Sequence, residues 1–475
     1  MADDVEVGGG SPGIYYPQDF DLESIDIFTS SGETIKLKYL MTELSMFEDI
    51  YSFVVSGYVI LVDAVGLMEK LQLDGNEYLR VVYGKSRSQS NLASDHYFRI
   101  YKVGNRRPIG NYSSEFFTLY FCSEELLLSE QKKISKSYKQ GRQIASAKDA
   151  EEADMGIIND ILQNELDVSP YKIDTIEETY GTYNFVIPRL KPLEAISWLS
   201  TYARPMNNKV GADMLFFQTS RGFNYRSLQS LYQQEPYATY KYQPKNVDQV
   251  GQKISLYEGL TSVLDFQYVK AFDTLHETSS GTYANRLISV DPLSKKYNIT
   301  DFSYSDYTAK AESLNKNPVI GASQNKFGIK QTQAYDGKLK VFVSNANQDR
   351  LEYVKDKPGS VAKDIYAETF IPYRTAQIAL ANYTVLKLLI PGDSFLTAGK
   401  TINFNLYSLV TDQNENRQLD KYFSGKYLVT AVRHIIQSSG GYQTILEVAK
   451  ESVVMKISAP DATSSEQQRV INEAY

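Results

Sequence analysis

The segment GKYLVTAVRHIIQSSGGYQTILEVAKES, residues 425–452, restricts the fold more than any other part of the chain. Side chains of an extended strand alternate between two faces. Here Tyr427, Val429, Ala431 and Ile435 fall on one face and Leu428, Val432 and Ile436 on the other. A strand apolar on both sides must be covered on both. At about 3.3 Å per residue, residues 425–437 would run roughly 43 Å, longer than an ordinary strand. Part of the arm is therefore expected to bend or to project from its barrel. The second arm alternates more regularly, with Tyr442, Thr444, Leu446 and Val448 opposed to Gln443, Glu447 and Glu451. Arg433 and His434 sit near the hairpin tip beside Gly440 and Gly441. The pattern fits a wall with a polar rim better than a catalytic cleft.

Elsewhere, short apolar runs separated by turn residues imply many strands. TIKLKYL (34–40), YSFVVSGYVILVD (51–63), EYLRVVY (77–83), HYFRIYKV (96–103) and EFFTLYFCS (115–123) read as a first β-barrel over residues 21–128. An α+β middle domain is expected over 129–254. ADMGIINDILQNEL puts Met155, Ile158, Ile161, Leu162 and Leu166 on one helical stripe, and KPLEAISWLSTYARP is a second helix with Pro192 in its first turn. MLFFQTSRGFNYRSL reads as a hairpin turning at Ser220, Arg221 and Gly222. A second barrel is assigned to 255–305 plus 376–455, with a hairpin around DPLSKK, a helix in PYRTAQIALANY and four closing strands. Residues 306–375 are polar and form an inserted loop region or small lobe. Residues 1–20 read as a flexible arm, and 456–475 as a loose or helical tail. The fold class is thus β-rich α+β: two similar antiparallel β-barrels and a helix-containing middle domain.

Two blocks support the similarity. GNEYLRVVY…HYFRIYKVGNRR…SSEFFTLYFCSEE and AGKTINFNLY…GKYLVTAVRHIIQ…GGYQTILEVAKES follow one order of strand types. Each has a strand ending in tyrosine, a strand through basic residues, and one ending in Ser or Glu. This pattern is read either as a duplicated unit or as two meanders that look alike.

Composition removes several functions. A net charge of −7 argues against gripping nucleic acid over a wide surface. Cys122 is the single cysteine, so neither an intrachain disulfide nor a cysteine zinc site is expected. No signal peptide is evident, and no apolar run approaches the roughly 18–20 residues that span a bilayer. The 37 tyrosines fit either an assembly surface or simply a β-rich composition. His96, His276 and His434 lie far apart, without a metal-ligand spacing. PGDSFLTAGKT ends like a phosphate loop, but Ser394 stands where the first glycine is needed and a strand pattern follows. It reads as a turn with Gly392 and Gly399 as its permissive residues. Glu124-Glu125 and Glu151-Glu152 read as solvated faces, and Trp198 as a core anchor. No catalytic, metal or cofactor site is assigned.

Four ordered segments carry a resemblance to a known family. They are ELSMFEDIYSFVVSGYVILVD…LDGNEYLRVVY, LKPLEAISWLSTYARP, SLYEGLTSVLDFQYVKAFDTLHETSSGTYANRLISVDPLSKKYNITDFSY, and the C-terminal TVLKLLIPGDSFLTAGKTINFNLY…GKYLVTAVRHII…YQTILEVAKES. Together they resemble baseplate hub proteins of contractile-tailed, T-even-type bacteriophages, which have two tube domains per subunit. The resemblance implies a non-enzymatic homotrimer with pseudo-sixfold symmetry, joining a central spike protein to the tail tube protein. Tape measure and baseplate wedge proteins are further implied partners. Genomic DNA would pass through the lumen without specific binding, and no membrane insertion or cofactor is implied. The implied location is the virion tail baseplate, assembled in the host cytoplasm. Tyr97, Arg99, Phe117, Asp393, Phe395, Lys400, Arg433, His434 and Tyr442 are the expected interface residues. The alternatives are a spike subunit of a type VI-like injection system and a tail-associated glycan hydrolase.

Overall fold

The computed structural model describes residues 21–454 except 65, 68–72, 85–93, 111–113, 153, 208–211, 243–258, 293–294, 309–310, 320–330, 344–369, 412–416 and 439–440. The expected arm and tail lie outside the described residues, as does much of 306–375.

The chain opens with β1 (Asp21–Phe28), β2 (Thr34–Lys36), β3 (Met41–Asp49), β4 (Ser56–Asp63), β5 (Tyr78–Gly84), β6 (Ser94–Ile109) and β7 (Ser114–Cys122). After α1 (Glu124–Gln131) come β8 (Ser137–Arg142), α2 (Ile157–Asp160, continued by a π turn over Ile161–Glu165), β9 (Ile173–Ile176) and β10 (Tyr183–Val186). Then follow α3 (Pro192–Ser200), β11 (Met214–Thr219), β12 (Gly222–Ser227), α4 (Leu228–Tyr232), β13 (Thr239–Tyr242) and β14 (Asp265–Lys270). An inserted lobe holds α5 (Thr274–Ser280), β15 (Ala284–Asp291), β16 (Lys296–Ser303), α6 (Tyr304–Thr308), β17 (Asn317–Pro318), β18 (Leu339–Val343) and α7 (Ile371–Ala381). Last come β19 (Thr384–Pro391), β20 (Thr401–Thr411), β21 (Arg417–Leu419), β22 (Gly425–Gln437), β23 (Gly441–Lys450) and β24 (Ser452–Val453).

Fourteen of these strands form one sheet. Its main path runs β14-β19-β23-β22-β3-β4-β7-β6-β5-β1-β2, with β13, β20 and β21 branching at β22. Closed barrels were expected; the strand ladder is a path with a branch at β22, and bonds from Lys241 N to Thr261 O and from Val263 N to Lys241 O join β13 to the residues just before β14 at the ends of the second set. Two sets of six strands are visible within the sheet. The first, β1-β5-β6-β7-β4-β3, and the second, β13-β20-β22-β23-β19-β14, place their strands in the same spatial order relative to chain order. The blocks compared in the sequence are β5–β6–β7 and β20–β22–β23, which hold matching places. One difference separates the sets: β1 pairs antiparallel with β5, while β13 pairs parallel with β20.

Smaller features repeat as well. The β6–β7 register shifts between Ile100 and Lys102, and the β22–β23 register between Val429 and Ala431. Just before each shift, an amide reaches the residue preceding the neighbouring strand: Ile100 N to Glu77 O at 3.1 Å, and Val429 N to Lys400 O at 2.8 Å. A β-bulge bends its strand, so both sets bend at the corresponding point.

Each set curls around its own core. Ile25, Val59, Leu79, Leu119 and Phe121 fill the first, and Leu386, Leu388, Phe404, Tyr427 and Leu446 the second. The middle segment has a third core, where α2 buries Ile157, Ile158, Ile161 and Leu162 and α3 buries Leu193, Ile196 and Leu199. Trp198 is half-buried there, its ring 5.5 Å from Phe185 and 5.4 Å from Tyr202. The inserted lobe supplies a fourth, mostly tyrosine core around Tyr283, Phe302, Tyr304 and Tyr307. The hairpin around DPLSKK was assigned to the second barrel. It pairs instead with β18 in a separate three-stranded sheet, β16-β15-β18.

Candidate functional site

The candidate site is the seam where the second strand set enters the first. Strand β22 pairs along one edge with β23. On its other edge, residues 425–428 pair with β20, and residues 431–437 pair antiparallel with 43–49 of β3. The long arm therefore does not project; it passes from one set into the other. Tyr427, Leu428, Val429 and Val432 lie in the second core, while Ile436 and the facing Tyr442 lie in the first. That is why the sequence is apolar on both faces.

Four rings close the inner side of the seam: His434, Tyr442, Tyr83 and His96. His434 is fully buried, with Nδ1 2.9 Å from Tyr442 Oη. The edge of Tyr442 meets Tyr83 at 6.2 Å, and Tyr83 also packs against His96 at 6.2 Å and His434 at 6.4 Å. Among the described residues, Nε2 of His434 and Nε2 of His96 find no hydrogen-bond partner. Burial, followed by the nearby His96, pushes the His434 imidazole down to about 3, so it is neutral in the fold. Gly392 follows from Tyr442: a Cβ there would lie 2.1 Å from the Tyr442 ring. Of the two glycines expected to be permissive, only Gly399 uses a left-handed backbone, at φ +83°; Gly392 is needed for space.

On the outer side, Arg433 is half-buried. Its guanidinium donates to Tyr58 Oη at 2.7 Å, Ser45 Oγ at 3.1 Å and Glu43 Oε1 at 3.3 Å. It also stacks over Phe47 and Tyr58. Arg433 thus laces β22 to β3 and β4.

Glu48 of β3 ties the seam to the middle segment. Its carboxylate accepts from Ser220 N at 2.6 Å, in the β11–β12 turn, and from Ala398 N at 3.0 Å. Burial raises its pKa against these bonds. A cavity of about 250 Å³ opens here, lined by Glu48, Tyr83, His96, Lys172, Arg221 and His434 among others. Its charges are largely matched: Glu125 holds Lys172 at 2.9 Å, and Asp95 holds Arg80 at 2.7 Å.

A second polar junction joins the middle segment, the second set and the inserted lobe. Glu451 accepts from Leu314 N at 2.7 Å, and Asn315 Nδ2 donates to Lys426 O at 3.0 Å. Arg374 donates to Ala212 O at 2.8 Å, and Gln377 Oε1 accepts from Ala212 N at 3.1 Å. Asp213 is buried beside them and accepts from Gln229 N at 3.2 Å, while its Oδ1 finds no partner among the described residues. Burial raises the Asp213 carboxyl to about 7.

The expected interface residues scatter. Arg433, His434 and Tyr442 meet at the seam. Phe117 is a core residue of the first set, and with His434 and Tyr442 it is buried, so these three offer a partner almost no surface. Tyr97 is exposed and stacks on Phe28. Arg99 lies 4.1 Å over the Tyr78 ring and 3.5 Å from Glu124. Asp393 accepts from Tyr237 Oη at 2.9 Å and from Phe395 N at 3.0 Å, ordering the turn before β20. Phe395 is half-buried in that turn. Half-buried Lys400 has its pKa lowered by desolvation, followed by the charge of Arg221. Glu124-Glu125 is not a solvated face: Tyr78 Oη donates to Glu124, and Glu125 is buried against Lys172. The reading of the sequence did not single out Tyr83, Glu48 or Asp213. Tyr83 ends an alternating strand and Asp213 abuts MLFF, which is the only local signal either carries.

No family model and no curated protein sequence matches the chain. Several solved structures are similar to it. The 43 kDa tail protein of prophage MuSo2 from Shewanella oneidensis aligns over 90% of this chain and 99% of its own, at 9% identity and TM-score 0.48. A tail protein from Neisseria meningitidis MC58 aligns over 91% and 97%, at 10% identity and TM-score 0.47. An E. coli component of the type VI secretion system aligns over 91% and 77%, at 9% identity and TM-score 0.41.

Proposed function

We propose that this chain is a structural hub of a contractile phage tail baseplate. It would form a homotrimeric ring that joins a trimeric spike to the sixfold tail tube. One observation carries the reading: two six-stranded sets of the same strand order are held side by side by a shared strand. Three such chains would offer six comparable units, which lets a threefold particle meet sixfold geometry. Closed rotational symmetry uses head-to-tail contacts, each with two unlike surfaces. The ring reading calls for no catalysis; its working parts are strand edges and buried seams. A lumen lined by an acidic protein would pass DNA without holding it. Tape measure and wedge proteins would be further contacts, and the virion baseplate the location.

Light scattering on the purified chain, alone and with candidate spike and tube proteins, tests this. The expected result is a particle of three chain masses whose end-on electron-microscopic projections show six densities. A chain that stays monomeric with both partners present would overturn the reading.

A further inference from the structure

We propose that two free strand edges, that of β6 beyond Arg99 and that of β14, pair with each other between neighbouring copies of this chain and repeat the β22–β3 seam there. The inference rests on the ring reading and names its contact.

Within the chain, β22 leaves its partner β20 after Leu428 and takes β3 on the same edge from Ala431 onward. By strand order, β6 is the counterpart of β22, and β14 the counterpart of β3. β6 also leaves its partner early: it pairs with β5 only from Ser94 to Arg99, yet pairs with β7 as far as Ile109. Residues 101–109 thus keep an edge with no strand on it among the described residues. β14 pairs with β19 alone. The bulge that marks the handover in β22 recurs at the corresponding place in β6.

Burial separates the used edges from the free ones. In the seam, Leu44, Ser45 and Met46 of β3 are buried. On β14, Tyr268 and Val269 are 47% and 49% exposed, and on β6 Tyr101 and Ile109 are 48% and 39% exposed. Open edges with apolar side chains invite strand addition unless something covers them. The two edges lie far apart along one sheet path, with β19, β23, β22, β3, β4 and β7 between them. In a ring, one neighbour supplies its β14 to the β6 edge and the other supplies its β6 to the β14 edge. Contact between unlike edges is head-to-tail, and such a contact closes into a ring when the rotation between copies divides a full turn.

The register carries over through neighbouring strands. Phe47 pairs with Ser56, Ser56 with Cys122, and Cys122 with Arg99. The matching series runs from Lys270 through Val385 and Ala449 to Leu428. Asp49 therefore corresponds to Phe272, and Ala431 to Lys102. The seam pair Ala431–Asp49 becomes Lys102 of one copy opposite Phe272 of the next.

Cys122 is buried and is the chain's single cysteine, so cysteine cross-linking reads this contact directly. A Lys102→Cys, Phe272→Cys double variant is oxidised and resolved on a denaturing gel, with light scattering on the same sample. Trp198 fluorescence checks that the variant is folded. Covalent dimers and trimers are expected. A mixture of the two single variants should give covalent dimers, and a Lys102→Cys, Tyr171→Cys control none. A folded variant that scatters as a trimer but forms no covalent product overturns the edge pairing and leaves the ring standing. A monomer at every concentration tested, with candidate spike and tube proteins added and without cross-links, overturns both.

Discussion

The seam around His434 and the junction around Asp213 are both buried and both polar, yet they are built from opposite materials. The seam is a continuous backbone ladder with a neutral base sealed inside. Side-chain bonds from three segments make the junction, with an acid sealed inside. Desolvation disfavours whichever form carries charge. It therefore lowers the His434 pKa to about 3 and raises that of Asp213 to about 7. One burial rule gives two pH responses of opposite sign.

The largest expected effect breaks the seam outright. Tyr442→Ala removes a buried ring and the partner of His434 Nδ1, and should cost about 3–5 kcal/mol in urea unfolding. The same truncation at exposed Tyr97 should cost far less.

The pH comparison follows, at most about 5 kcal/mol for His434 and about 4 kcal/mol for Asp213 over their full titrations at 1.36 kcal/mol per pKa unit, and less within the accessible pH range. Folded His434 binds its proton less readily than the unfolded chain, so its contribution is lost as pH falls from about 6.5 towards about 3. Folded Asp213 binds its proton more readily than the unfolded chain, so its contribution is lost as pH rises from about 4 to about 7. The two slopes offset each other in the wild type. His434→Gln should therefore gain stability relative to wild type on acidification, and Asp213→Asn should gain it as pH rises. Urea midpoints from pH 4 to 8 read both; slopes of the same sign would end the comparison.

Smaller again is Arg433→Ala, which loses three side-chain bonds on the outside of the seam and should cost about 1–2 kcal/mol. Smallest is Arg80→Ala, which removes an exposed pair with Asp95 and should leave the urea midpoint almost unmoved in the same assay.

These regions also differ in how far the sequence disclosed them. The seam's strand was legible because burial on both sides leaves apolar residues on both faces of β22. Helices α2 and α3 were legible from their apolar stripes for the same reason. The hairpin of β15 and β16 announced itself, but nothing in its alternation says which sheet it joins. Its third strand, LKVFV, lies 36 residues past the hairpin in a polar stretch that read as loop. The junction was hidden because its polar residues are recruited singly: Gln377 and Arg374 look like the wet side of α7 until Ala212 is seen against them. The buried state of Phe117, His434 and Tyr442 could have been read from their apolar neighbours, which a surface role does not require.

Strand β22 has one more effect. Units joined by a loop can tilt freely, but units sharing a strand inherit their mutual angle from its twist and from the bend at Thr430. Curvature is then written into a single backbone irregularity. Regularising that bulge would leave both cores intact and yet reset the angle at which the two strand sets meet.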